Sequence, residues 1–317
     1  MPGIKKLLFV DTNILLDFYR ARTEAGLSLL RHLEQIADQL IISFQLELEF
    51  KKNRHSAILE GMDELKLPPG ISRPGLFSDA KAVKAIRTSQ KQADARVKKL
   101  KARYLKALDN PTVNDPVYKA CQRLFHKDDS LVLTRDNPIR RTIRRKALRR
   151  FLHGCPPRKK NDTSMGDAVN WEWMIHCAES HTAELVIVSR DSDYGIVYEN
   201  KSYVNDQLRQ EFSERVSRKR KILLYHKLSD ALKHFQIPVT PTEEQEEEAL
   251  IQLPKREPDE RSIDKVSGEH FVNPFAEQFL NQNVTRQQIS PALWAALNQV
   301  LRPEIVPDSN AEDVKKS

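Results

Sequence analysis

The chain has 317 residues, enough for one large domain with a tail or for two modest domains. It is 39% hydrophobic and 30% charged, and no apolar run approaches the ~18 residues of a membrane span, which excludes a helical membrane protein. Lysine and arginine number 52 against 44 aspartates and glutamates, and this net charge of +8 favours a polyanionic partner.

Residues 7–10 are a short apolar run ending in a polar turn, as in a buried parallel strand. Residues 24–39 carry Leu27, Leu30, Leu33 and Ile36 at helical spacing, and residues 40–43 read as a second strand. A helix is expected from Gln45 to about Leu65, stopped by Pro68-Pro69-Gly70. Residues 80–108 form a long, partly exposed helix with a broken apolar stripe, able to hairpin with its neighbour, and another helix covers residues 115–126. Residues 135–160 are the most basic stretch, a cationic amphipathic helix followed by a turn at Cys155-Pro156-Pro157. A helix over 167–180, a strand over 185–189, a helix over 205–216, a strand over 222–225 and a helix over 229–235 capped near Ser229 complete the alternation. Alternating strands and helices imply an α/β fold with a central parallel sheet flanked by helices.

Beyond Ile237 the composition shifts. Residues 238–270, with four prolines and an acidic run from Glu243 to Glu248, read as a mobile linker, and residues 271–317 as a helical tail. The expected organisation is therefore one domain over 1–237, with a helical basic insertion at about 66–160, then linker and tail. The cysteines, Cys121, Cys155 and Cys177, form no C-x-x-C pair and support neither a zinc knuckle nor a disulfide framework. The apolar run before Asp11 is too short for a signal peptide, so a cytoplasmic setting is expected.

Four acidic clusters stand beside these apolar runs. Asp11 follows the first strand, where a carboxylate is costly unless it caps a helix or faces a crevice or cation; Asn13 can orient it through its amide. Glu47 and Glu49 point different ways on a helix, and Glu49, which shares a face with Gln45, is favoured for the crevice. Asp167 lies in a first helical turn, serving either the helix dipole or a site. Asp191 and Asp193, spaced i, i+2 in a turn, can both approach one ion, although Asp193 also suits an Asx-turn. At the carboxyl ends of parallel strands such groups share one crevice. An oxygen-only donor set suits Mg²⁺ or Mn²⁺ rather than Zn²⁺, and the matching chemistry on a basic protein is metal-dependent hydrolysis of nucleic-acid phosphodiesters.

The sequence Phe9-Val10-Asp11-Thr12-Asn13-Ile14-Leu15-Leu16-Asp17 resembles the first motif of the PIN-domain nucleases. Gln45…Glu49-Phe50…Asn53-Arg54 is similar to the second motif of a bacterial PIN-like branch, Gly166-Asp167-Ala168…Trp171-Glu172 to its third and Ser189-Arg190-Asp191-Ser192-Asp193-Tyr194 to its fourth. The resemblance covers about residues 5–237. It implies a PIN fold and Mg²⁺- or Mn²⁺-dependent endoribonuclease activity. Asp11, Glu49, Asp167 and Asp191 would be the metal-binding acids, Asp193 would support or replace Asp191, and Asn13 and Ser189 would buttress them. More than a hundred residues separate Glu49 from Asp167, unlike compact members.

Arg144, Arg145, Arg149, Arg150, Arg158, Lys159 and Lys160 are expected to hold an RNA backbone beside the crevice. RNA is the expected partner, with single-stranded DNA as the variant. A structure-specific DNA nuclease and a non-catalytic RNA-binding protein are the competing readings, and a toxin or defence setting with an antitoxin or other protein partner stays open.

Overall fold

Leu7 to Val10 have no solvated face, and Lys6–Val10 (β1) is a strand with every one of these four side chains buried. The computed structural model describes residues 4–63, 65, 80–158, 164–199 and 201–252, within the unit Met1–Lys255. After β1 come helices Thr12–Asp17 (α1) and Glu24–Gln35 (α2), strand Ile42–Ser43 (β2) and helix Phe44–Asp63 (α3). Helices Lys81–Asp109 (α4), Pro111–Asn114 (α5) and Pro116–Phe125 (α6) precede strand Val132–Leu133 (β3). Helices Arg140–Leu152 (α7) and Gly166–His181 (α8) lead into strand Glu184–Val188 (β4) and the hairpin Gly195–Tyr198 (β5) and Lys201–Val204 (β6). Helix Asp206–Arg215 (α9), strand Ile222–Tyr225 (β7) and helices Leu228–His234 (α10) and Pro241–Ile251 (α11) follow.

The core is a parallel sheet. β1 pairs with β4 from Lys6 opposite Glu184 to Val10 opposite Val188, and β4 pairs with β7 from Leu185 opposite Ile222 to Val188 opposite Tyr225. On the other edge of β1, a bridge joins Leu8 to Leu40 and Ile41 N donates to Leu8 O at 2.8 Å, while β2 pairs with β3. The strand order is thus β3-β2-β1-β4-β7. The chain winds outward from β1 through β2 and β3, then crosses back to β4 on the opposite side. That reversal falls at the carboxyl ends of β1 and β4, the position where parallel sheets of this kind bind ligands.

The basic insertion holds a strand that the sequence pattern does not reveal. β3 has two residues, too short for periodicity to register, and it extends the sheet through β2. α4 has no buried residue and packs only near its end, where Arg54 Nη2 donates to Ala107 O at 2.5 Å. Arg54, buried on α3, also donates through Nε to Asp115 Oδ2 at 2.9 Å, and Tyr19 OH donates to the same oxygen at 2.8 Å. This triad ties α3 and the residues after α1 to the cap of α6.

The linker expectation is corrected between 241 and 251. Those residues are helix α11, begun by a reciprocal capping box between Thr240 and Glu243 with Pro241 in the first turn. The acidic run does not stay solvated because its glutamates reach backbone and cationic partners. Glu246 accepts from Arg22 N and Thr23 N, Glu243 pairs with His32, and Glu247 accepts from Leu228 N and Ser229 N. The N-cap position of α10 is Lys227 rather than Ser229, and Glu247 of α11 accepts the first N–H groups in place of a cap side chain. The remainder of the expected linker and the tail at 271–317 lie outside the described residues. No described helix is long and apolar enough to cross a membrane.

Candidate active site

Asp11 sits where β1 ends, and its backbone N donates to Val188 O at 2.9 Å, fixing the end of β1 against the end of β4. Its carboxylate caps α1 by accepting from Thr12 N at 2.6 Å. The second oxygen accepts from Ser189 Oγ at 2.5 Å and from Asn13 Nδ2 at 3.1 Å. The helix-cap explanation of Asp11 therefore holds, and the same carboxylate is tied to the loop after β4. Ser189 Oγ in turn accepts from Asp191 N at 3.1 Å, so one hydroxyl sets both the first acid and the loop carrying the fourth.

Glu49, on the second turn of α3, accepts from Gln45 Nε2 at 2.8 Å and from Thr12 Oγ1 at 3.2 Å. Glu47 turns away, paired with Lys51 at 2.6 Å and with His126 at 3.0 Å. Helical geometry thus separates the two glutamates as their spacing demands. Gly166, at the start of α8, is forced by the same packing: a Cβ there would run into Glu49 Oε1 and stand 2.8 Å from Gln45 Nε2. Asp167 follows on that first turn. A buried bond from Ser43 Oγ to Asn170 Oδ1 at 2.5 Å, with Leu46 N donating to Ser43 Oγ at 3.0 Å, locks the starts of α3 and α8 together.

Tyr194 marks the centre of the arrangement. It is 1% exposed, and its hydroxyl has no hydrogen-bond partner among the described residues. Burial holds its phenol well above the ordinary range, and the charges of Asp167, Asp11, Glu49 and Asp191 push it further in that order. Acids from four separate elements therefore act on one buried oxygen. Asp11 is raised from 3.8 to about 7, chiefly by burial, then by the charge of Asp191 and, more weakly, of Glu49, against the lowering bonds from Ser189 and Thr12.

Among the described residues, no three His, Cys, Asp or Glu side chains already stand close enough to enclose an ion. The donor set nevertheless suits a hard divalent cation. The acids, Tyr194 OH and Asn13 Oδ1 are all oxygens, and the last two are buried without a hydrogen-bond partner. A cation is also what would relieve the repulsion that raises Asp11.

The basic residues divide. Arg144, Arg145 and Arg149 are exposed on α7. Arg150 is not a surface group, which corrects its assignment to nucleic-acid binding. It is buried against α8 and α9, donating to Glu172 Oε1 at 3.1 Å and pairing with Glu211. Its place on the same stripe as Ile143 and Ala147 is the sequence signal for this. Arg158 is exposed but lies over the Phe151 ring at 4.5 Å and donates to Phe151 O at 3.0 Å. Lys159 and Lys160 lie outside the described residues.

Sequence reasoning missed the central role of Tyr194, although it closes the fourth motif. It also missed Arg190, whose guanidinium lies between Asp17 and, at 4.0 Å, Glu247. No sequence signal joins Arg190 to a helix nearly sixty residues later.

A family model described as a PIN domain matches residues 8–194, more than half of the chain. The matched span carries all four acids and ends before the β5–β6 hairpin. No curated protein and no solved structure matches the chain.

Proposed function

Because the chain belongs to the PIN-domain family, whose members are generally nucleases, we propose that it is a metal-dependent endoribonuclease. The observation that carries this reading is the linkage of the acidic motifs at the reversal of strand order: Ser189 Oγ donates to Asp11 and accepts from Asp191 N, Thr12 Oγ1 donates to Glu49, and Gly166, beside Asp167, lies against Glu49. Those four acids would hold Mg²⁺ or Mn²⁺, with Asp193 two residues beyond Asp191 as an additional oxygen donor. When bound, such ions supply a lowered water pKa and neutralise charge on the scissile phosphate.

The protein's own groups prepare the site. Ser189, Asn13 and Thr12 N fix both oxygens of Asp11, and Gln45 and Thr12 fix Glu49, so two of the four acids are held in place before loading. Burial of Asp11 and Tyr194 keeps bulk water from screening the charges. With its raised pKa, Asp11 retains a proton to near neutrality until a cation displaces it.

The acidic crevice repels phosphate, so capture needs a separate cationic surface. α7 supplies one in Arg144, Arg145 and Arg149, packed beside the helix that carries Asp167. Each phosphate contact adds about 0.9 to the slope of log affinity against log salt on a duplex and about 0.7 on a single strand. Replacing all three by alanine is expected to flatten the slope on single-stranded RNA by roughly 2. The chemistry is tested by incubating labelled single-stranded RNA and DNA with Mn²⁺, Mg²⁺ or EDTA, for wild type, Asp11→Asn and Asp167→Asn. RNA cleavage that needs the metal and both acids is the expected result. Cleavage surviving EDTA or both substitutions rejects the site, and a preference for DNA replaces RNA as the substrate.

A further inference from the structure

The fourth motif does not end in a loop. Tyr194 runs straight into β5, Gly195 N donates to Ser192 O at 3.2 Å, and Asn205 N, just after β6, donates to Tyr194 O at 2.9 Å. The β5–β6 hairpin is therefore rooted on the loop that carries Asp191 and Asp193. Its register places Ile196 opposite Tyr203 and Tyr198 opposite Lys201. In an antiparallel pair these four side chains share one face, and Gly195, Val197, Ser202 and Val204 take the other.

On the inner face Gly195 packs against β7, where a Cβ would meet Leu224 Cδ2 at 2.8 Å, while Val197 is 46% exposed. The other face is exposed among the described residues. Ile196 and Tyr198 are each 63% exposed and Tyr203 is 44% exposed. Lys201 Nζ stands 5.4 Å from the centroid of the Tyr203 ring. Two exposed aromatic rings and an apolar side chain on a four-residue strand pair carry a cost in water that stability alone does not require. A groove of about 540 Å³ beside the hairpin is lined by Lys201, Tyr203, Arg209, Lys227 and Asp230 and, from the hairpin's other face, by Val197. Three of these are cations and one is an acid. Arg209 and Lys227 sit in exposed pairs with Asp206 and Glu248, of the weak surface kind that exchanges readily for phosphate.

We propose that this hairpin is a stacking platform for a single strand of RNA, with Tyr198 and Tyr203 holding unpaired bases and Lys201, Arg209 and Lys227 the adjoining phosphates. The proposal rests on the nuclease reading and names the form of its substrate. An exposed sheet face bearing aromatic rings takes bases by stacking, which needs them unpaired. A duplex offers its rings to no such surface. The platform is rooted on the loop that carries Asp191, so a strand stacked on it is held next to that loop. Selection of the single strand then belongs to the hairpin, and general attraction to phosphate belongs to α7.

The test measures binding apart from cleavage. Full-length Asp11→Asn is titrated with labelled single-stranded RNA, single-stranded DNA and duplex RNA, alone and combined with Tyr198→Ala, Tyr203→Ala, Tyr203→Phe or Lys201→Ala. Each tyrosine-to-alanine change is expected to weaken single-strand binding roughly 5- to 150-fold, while duplex binding is unchanged and Tyr203→Phe binds as the parent. The single-stranded DNA arm tells whether the sugar matters. Unchanged single-strand affinity, or equal loss on duplex, overturns the proposal. Concentration-dependent dimers that Tyr198→Ala abolishes, with RNA binding intact, overturn it in favour of a protein contact. A wild type that binds through the hairpin yet cleaves nothing sinks the nuclease reading and leaves the platform standing. Cleavage by Tyr198→Ala and Tyr203→Ala at unaltered KM does the reverse.

Discussion

Asp11→Asn should stabilise the metal-free protein while abolishing cleavage. In the folded chain the Asp11 carboxyl rises from 3.8 to about 7, so above neutral pH the ionised form is disfavoured by roughly 4 kcal/mol. The sign follows from where the proton is held. The unfolded chain releases it near 3.8 and the folded chain only near 7, so this group's contribution is fully present below about pH 4 and is lost as pH rises towards 7. Asparagine is neutral throughout and escapes that loss. Against the gain stand weaker bonds from Thr12 N and Ser189 and a clash with the Asn13 amide, about 1–2 kcal/mol together. The net gain at about pH 8 is then roughly 2–3 kcal/mol, or ~4–12 °C in Tm for a domain of this size. Thermal melts of both proteins in EDTA, from about pH 4.5 to 8.5, read the difference directly. It should shrink towards zero or reverse at the acid end. Added Mn²⁺ should raise the wild-type Tm and leave Asp11→Asn unmoved. A Tm difference independent of pH, or an asparagine variant less stable in EDTA at pH 8, would refute the argument that burial and repulsion are stored at Asp11.

Three other substitutions probe the supports. Gly166→Ala should lower cleavage at least about tenfold with near-native circular dichroism, because its methyl displaces Glu49 Oε1; a fully active variant would mean Glu49 is not held there. Arg150→Ala removes one of the two arginines paired with the buried Glu172 and should cost about 1.5–3 kcal/mol in denaturant unfolding, against at most about 0.5 kcal/mol for Arg144→Ala. Equal effects would return Arg150 to the surface. Glu247→Gln weakens the bonds to Leu228 N and Ser229 N and the attraction to Arg190, and should cost roughly 1–2 kcal/mol and slow cleavage more than it raises KM. A loss confined to KM would show that α11 does not position the Ser189–Asp191 loop.

The sequence carried the sheet and the acids because both have local signatures. The runs at 7–10 and 185–189 are apolar on both faces, and each delivers an acid within a few residues of its end. Glu49 was separable from Glu47 because helical spacing puts Gln45 on the face of Glu49, and the 2.8 Å bond between them follows from that. What escaped depends on distance in the chain. β3 is two residues long and exists through its pairing with β2. α11 reads as a solvated acidic run until its glutamates meet Arg22 N, His32 and the start of α10. Arg150 reads as one arginine among many, and its acids, Glu172 and Glu211, come from helices twenty and sixty residues later.

The contrast between these acids and Asp11 explains how one fold keeps reactive carboxylates among so many cations. Asp115 meets Arg54, Glu172 meets Arg150 and Arg215, and Asp17 meets Arg20 and Arg190. Such pairing neutralises a buried acid and fixes structure. Asp11 is instead held by a serine hydroxyl, an amide and a backbone N–H. Neutral donors orient a carboxylate without cancelling its charge, so burial first, and then the repulsion of Asp191 and Glu49, holds Asp11 near 7. A divalent cation binding there would find charge not yet compensated. An arginine paired with Asp11 would have removed the reason for it to bind, and Arg190, which directly precedes Asp191, pairs instead with Asp17 of α1.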